Sequence, residues 1–240
     1  MAIYRDEGLV LRTVKLGEAD RIVTILTRGH GKVRAVAKGV RRTKSRFGAR
    51  LEPFMRDDLL ISRGRNLDIV SQAVCIAAYA DAICADYDLY ANGGVMLETA
   101  DKLVVGEHES APEQYRLLAS ALASLAGHRH GPRDIGASYL LRSLALAGWR
   151  PRLDSCIVCG RTDQLTHFSV PGGGVVCSRD RPTDAVAVDS ATLARFRALS
   201  SGDWSKLDGK DSTPLCDGLV EKWGEYYLER PIRSLRLLDS

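Results

Sequence analysis

Residues 7–40 read EGLVLRTVKLGEADRIVTILTRGHGKVRAVAKGV. Three runs in this stretch, "EGLVLRTVKL", "DRIVTILTR" and "KVRAVAKGV", mix Val, Ile, Leu and Thr with polar residues at roughly period two, the pattern of half-buried strands. The pieces between them, "KLGEAD" and "RGHGK", carry the glycines and acids of tight turns. Two more runs of the same kind, "DDLLISRG" and "LDIVSQAVC", follow and are separated by "RGRN". Five short strands in so little chain predict a small antiparallel barrel or sandwich, and the OB-fold is the commonest five-stranded barrel of that size.

From about Ala77 the period lengthens. "AYADAICADYDLYANGGVMLETADKLVV" has apolar residues at helical spacing, interrupted by Gly93-Gly94. "QYRLLASALASLAG" reads as a helix entered through Ser110 and Pro112, and "IGASYLLRSLALAG" as another ended by Gly148. After a Cys- and Gly-rich segment come "DSATLARFRALS", capped by Asp189 or Ser190, and "STPLCDGLVEKWGEYYLER", stopped by Pro231. The predicted class is α+β: an OB-fold barrel in residues 1–80 and a helical domain in 81–240, with a zinc-ribbon-like module inserted at 151–183.

The composition is that of a globular protein, 45% hydrophobic and 27% charged over 240 residues. The charge is unevenly spread. Between Tyr4 and Arg65 stand sixteen Lys and Arg against seven Asp and Glu, so the net +4 of the whole chain leaves the remainder at about −5. A basic N-terminal third on a slightly acidic body predicts one cationic face and an anionic partner. No run approaches the ~18 apolar residues of a membrane span, and the first residues lack the apolar core of a secretory signal. The expected compartment is the cytoplasm.

The cations concentrate in KGVRRTKSRFG, Lys38–Gly48, which contains no acid. Lys38, Arg41, Arg42, Lys44, Arg46 and Arg50 are the expected phosphate contacts, with Arg34 on the preceding strand extending the track. Phe47 is the candidate for stacking on a base; Phe54 reads as core, and Tyr4 begins the first strand. "RGHGK" lacks the spacing of a phosphate loop and reads as a hairpin turn. His128 and His130 read as a polar interhelical loop. The acids of "DDLL" and "ADYD" read as surface charges.

Six cysteines divide into two sets. Cys75, Cys84 and Cys216 read as small buried side chains. Cys156-Ile-Val-Cys159, then Cys177-Ser-Arg-Asp180, is the double-knuckle spacing of a zinc ribbon with an acid in the fourth place. Gly172-Gly173-Gly174 suits the hairpin turn that would bring the knuckles together. The expected structural zinc ligands are Cys156, Cys159, Cys177 and Asp180, with His167 or water as the alternative fourth ligand, or no metal at all. The deaminase pattern H-x-E…P-C-x-x-C is absent, as are a two-metal carboxylate cluster and a nucleophile motif with context. The chain does not read as an enzyme.

The opening YRDEGLVLRTVKLGEADRIVTILTRGHGKVRAVAKGVRRTKSRFGARLEPF, together with the CIVCG…FSVPGGGVVCSRD ribbon, resembles the RecO family of bacterial recombination mediators. The shared features are the Glu-Ala-Asp turn, the Gly-Lys pair, and a Lys-Gly followed by basic residues. The resemblance spans nearly the whole chain and departs at Asp180, where many members have a fourth Cys. It implies a protein of DNA repair and recombination that binds single- and double-stranded DNA and anneals complementary strands without ATP. It also implies contacts with the C-terminal tail of single-strand binding protein and with RecR, a role in placing RecA on coated DNA, and a nucleoid-associated location. Such an acidic, apolar tail needs a groove rimmed by cations, for which Arg133, Arg142, Arg150 and Arg152 are candidates. Two other readings stay open on the residues alone: an RNA-binding OB module with a structural ribbon, and a zinc-dependent nucleic-acid hydrolase using the three clustered cysteines.

Overall fold

The computed structural model describes residues 2–238. The first five elements are β1 (Ile3–Leu16), β2 (Asp20–Thr27), β3 (Gly31–Ala37), β4 (Met55–Ser62) and β5 (Asp68–Ala78). They close into a barrel in the order β1-β2-β3-β5-β4, with β4 pairing back onto β1. All neighbours are antiparallel except β3 and β5, which run parallel over Ala35–Asp68 and Val36–Ile69. An all-antiparallel barrel is thereby corrected at this one seam. Alternation of faces is the same in both kinds of pairing, so period two could not distinguish them.

The alternation is clean on β4, where Met55, Asp57, Leu59 and Ile61 are buried and the residues between them are not. The barrel is filled by Val10, Val23, Ile25, Val33, Ala35, Leu59, Ile61 and Val70, and the segment between β3 and β4 adds Phe47 and Leu51. Each such side chain contributes about 1.5–3 kcal/mol by leaving water.

The helices are α1 (Tyr79–Ile83), α2 (Tyr87–Leu103), α3 (Pro112–Ala126), α4 (Pro132–Leu146), α5 (Ser190–Ser201) and α6 (Pro214–Leu228). The long helical run after Ala77 is two helices. Asp86 breaks it, its carboxylate accepting a hydrogen bond from Leu89 N–H at 3.0 Å as the cap of α2. Ser110 does not cap α3; Ala111 precedes Pro112 there without a side-chain bond. Asp189 caps α5. Leu9, Leu11, Leu26 and Phe54 from the barrel share one core with Leu89, Met96, Leu118, Leu122 and Tyr139 from the helices. The barrel is therefore bolted to the helical body.

Between α4 and α5 lies a small sheet of β6 (Leu165–Ser169), β7 (Gly174–Cys177) and β8 (Val186–Ala187), in the order β7-β6-β8. Gly172 and Gly173 fall in the β6–β7 turn, as the sequence predicts, and Gly174 begins β7. Phe168 packs against Phe196 of α5 and Trp223 of α6, with ring centroids 5.2 and 5.7 Å apart. Among the described residues no helix is long and apolar enough to cross a membrane.

Candidate nucleic-acid interface and metal centre

The segment between β3 and β4 folds back onto the β1–β2 turn. Gly39 N–H donates to Asp20 Oδ1 at 2.7 Å, and Arg41 N–H donates to Ala19 O at 2.9 Å. The Arg41 guanidinium also donates to Gly17 O at 3.1 Å. The acid of the Glu-Ala-Asp turn thus acts as the tether of the basic loop.

Lys38, Arg41, Arg42, Lys44, Arg46 and Arg50 are all exposed. Among the described residues none of these six is in an ion pair. Of the other ten cations between Tyr4 and Arg65, seven are paired: Arg5, Arg12, Arg21, Arg28, Lys32, Arg34 and Arg56. The free positive charge of the barrel is therefore concentrated in the loop. Arg34 lies 3.4 Å from Glu107, which weakens its expected place in the track. Arg50 donates to Arg46 O and Phe47 O at 3.1 and 3.3 Å and stays accessible.

Phe47 is not a stacking surface. It is 1% exposed and sits in the barrel core with Leu51 and Met55. It is the one aromatic side chain between Lys38 and Arg50, and burying it, with Val40 and Leu51, pins the loop to the barrel. The Arg46 guanidinium lies 4.9 Å from its ring centroid. Phe54 is core, as expected, at 3% exposure. The Tyr4 ring packs against His30 at a tilt of 37°, with centroids 4.3 Å apart, and its hydroxyl donates to Asp68 at 2.7 Å.

Asp57 corrects the reading of "DDLL" as surface charge. Asp58 is indeed at the surface, paired with Arg5. Asp57 faces inward between Met55 and Leu59, fully buried, and neither carboxylate oxygen has a hydrogen-bond partner. Burial pushes its pKa up to about 7, against the pull of nearby Arg50. The alternation of β4 signals this position, because Asp57 stands in phase with three apolar residues.

In the ribbon, Cys156, Cys159, Cys177 and Asp180 bring their ligand atoms within 4.8 Å of one another. Asp180 Oδ2 is 3.1 Å from Cys177 Sγ and 3.6 Å from Cys156 Sγ, and Cys159 Sγ is 3.9 Å from Cys177 Sγ. Four ligands about 2.3 Å from a tetrahedral ion stand about 3.8 Å apart, so the donor set fits a metal ion. Burial opposes ionisation of Cys156, yet the amides of Cys159, Cys177 and Val158 outweigh it and bring the thiol down to about 7. Hydrogen bonding to Cys159 and Cys177 lowers the Asp180 carboxyl. His167 is outside the group; its Nδ1 lies 3.0 Å from Thr166 Oγ1. Of the remaining cysteines Cys216 is buried, but Cys75 and Cys84 are exposed, against expectation.

The helical half carries a groove of about 780 Å³ between α3, α4 and α5, floored by Leu117, Leu141 and Leu153 and edged by Arg116, Arg142, Arg150 and Arg197. Arg116 pairs with Glu113 at 2.6 Å and Arg197 with Asp154 at 3.4 Å, while Arg142 and Arg150 are in no ion pair among the described residues. Two of the four arginines proposed from sequence as a rim are here. The other two are not: Arg133 donates to Leu238 O and Arg152 to Ser155. Arg116 and Arg197 were missed because they come from helices far apart in the chain.

Two family models cover almost the whole chain. The one described as Recombination protein O N terminal matches residues 1–79, and Recombination protein O C terminal matches 84–236. The chain is 61% identical over 240 residues to the DNA repair protein RecO of Bifidobacterium longum (strain DJO10A), covering all of both chains. It is 49% identical over 242 residues to the protein of that name from Thermobifida fusca (strain YX), covering 100% of this chain and 99% of the relative. It is 47% identical over 248 residues to that of Streptomyces griseus, again over the full length of both.

Proposed function

We propose, because the chain belongs to the RecO family of DNA repair proteins, that it is a non-enzymatic mediator which binds single- and double-stranded DNA and anneals complementary strands. The observation that carries this reading is the basic loop: six exposed cations with no ion-pair partner among the described residues, tethered to the barrel by Asp20 and Phe47. Loops of this kind neutralise phosphates and release counterions. Two strands whose charge is neutralised repel each other less, so base pairing can nucleate. Sequence is then read by pairing, and the protein needs no base-specific contact. The chain has no phosphate-loop motif, so the reaction proceeds without ATP.

The arginine-edged groove of the helical half suits the acidic, apolar tail of single-strand binding protein: the apolar floor takes the end residue and Arg142 and Arg150 face the acids. Family membership supports RecR as a direct partner and RecA as the protein loaded. The ribbon's metal is zinc in a structural role. Cys156, Cys159, Cys177 and Asp180 would hold it, and it would join the two knuckles. The protein works in the cytoplasm, at the nucleoid.

The test is annealing of two complementary labelled strands coated with single-strand binding protein, without ATP. Duplex should form faster with the protein, and much more slowly with Arg41, Arg42 and Lys44 all changed to Ala. Strands that stay single, strands that are cut, or a clear preference for matched RNA would overturn the reading.

A further inference from the structure

With Phe47 buried, the loop offers phosphate contacts and no surface for the bases. A groove of about 1170 Å³ begins at this loop. Its near end is formed by Phe47, Gly48, Ala49 and Arg50, and it runs between the end of β5, α1 and α2 towards Ser234. Its wall is mainly apolar, with Met55, Ala80, Cys84 and Leu97 among its residues.

One aromatic in this wall is exposed. Tyr90, on the first turn of α2, is 45% exposed. Its ring is held by Phe54 in an edge contact, with centroids 6.1 Å apart at 70°. One turn further along the same helix face stands Gly94, which also lines the groove. Gly94 has no side chain to cover the Tyr90 ring, and a Cβ there would just touch Ser234, at 3.6 Å. The carboxylates along the groove are mostly neutralised: Glu52 by Arg21, Asp101 by Arg12 and Lys32, and Glu98 by Lys102. Only Asp81 has no ion pair among the described residues. A polyanion meets free cations at one end of the groove and little net negative charge along it.

We propose that Tyr90 is the base-stacking residue of this protein, taking an unpaired base of a single strand whose phosphates lie on the basic loop. The occupant is single-stranded nucleic acid, because the groove is continuous with the cationic loop, and an exposed aromatic ring on its wall accepts any base. This rests on the loop being the phosphate site, and it replaces the stacking position that Phe47 cannot fill.

The experiment compares the full chain with Tyr90→Ala and Tyr90→Phe on two single strands of equal length, one carrying thymines and one wholly abasic, read by fluorescence anisotropy. Tyr90→Ala should weaken the thymine strand by about tenfold and leave the abasic strand within twofold. Tyr90→Phe should behave as the parent. If Tyr90→Ala does not fold, Tyr90→Leu keeps an apolar side chain against Phe54 and should give the same selective loss. Equal loss on both strands, or no loss on either, overturns the proposal. The Arg41, Arg42, Lys44 triple Ala variant separates the two claims. If it loses affinity on both strands while Tyr90→Ala loses none, only the stacking assignment fails. If it loses none, the phosphate loop itself is wrong.

Discussion

Gly93 of α2 is the socket for Phe54: a Cβ at position 93 would lie 2.9 Å from Phe54 Cε1. Phe54 ends the segment that carries the basic loop, and its backbone is left-handed, with φ of 69°. It holds that shape because its N–H donates to Val10 O at 3.2 Å while its ring enters the helical core. One contact thus joins barrel, loop and helices.

Gly93→Ala should therefore destabilise the protein by about 1–3 kcal/mol, because overpacking against a fixed ring exceeds the gain in helix propensity of up to ~1 kcal/mol. Gly94→Ala, with room for its methyl, should be neutral or stabilising. Denaturant melts of the two variants check this; equal effects would mean that the ring of Phe54 moves freely.

Asp57 predicts an unusual pH dependence. Its fold favours the neutral carboxyl, with a pKa of about 7, whereas the unfolded chain's Asp titrates near ~3.9. Between these values the folded state holds more protons, so this residue's contribution to stability falls as pH rises from about 4 to about 7. Asp57→Asn should raise the melting temperature by a few degrees at pH 8 and give no gain at pH 4. A parent and variant whose melting temperatures run parallel across that range would contradict it.

Asp20→Ala should separate charge from order. It removes the acceptor of the Gly39 N–H but none of the loop's cations. Stability should fall by about 1 kcal/mol. DNA affinity should also fall, because the loop must be ordered on binding, with the salt dependence of binding unchanged. A shallower salt slope would show that Asp20 acts on charge.

The ribbon should carry about one zinc per chain by elemental analysis. Cys177→Ala should lose it and melt earlier, and Asp180→Cys should hold it more firmly against a chelator than the parent. DNA affinity should stay within twofold in both, since Phe168 and Val175 fasten the ribbon to the helical core and the basic loop stands on the barrel. A large loss of affinity would make the ribbon part of the DNA surface.

The strands and most of the helices were legible because each buries one face, and a buried face imposes its period on the sequence. The Cys–Asp cluster was legible because its residues come as two local pairs around knuckles. What the sequence hid is what depends on long-range packing. Phe47 sits in the most polar loop of the chain, and only closure of the barrel under it makes it core. Arg116 and Arg197 meet Arg142 through the packing of three helices. Tyr90 lies within a helical pattern that does not mark it, and it becomes a candidate only once the loop of residues 38–54 is placed beside α2. Asp57 was readable from the phase of its strand, but an acid in "DDLL" looks like its exposed neighbour until that phase is weighed.

The most direct test of the central claim is the salt dependence of single-strand binding. Six phosphate contacts give a slope of log K against log salt of about −4, and the Arg41, Arg42, Lys44 triple Ala variant should give about −2. An unchanged slope would contradict the account, because the strand's phosphates would then lie somewhere other than on this loop.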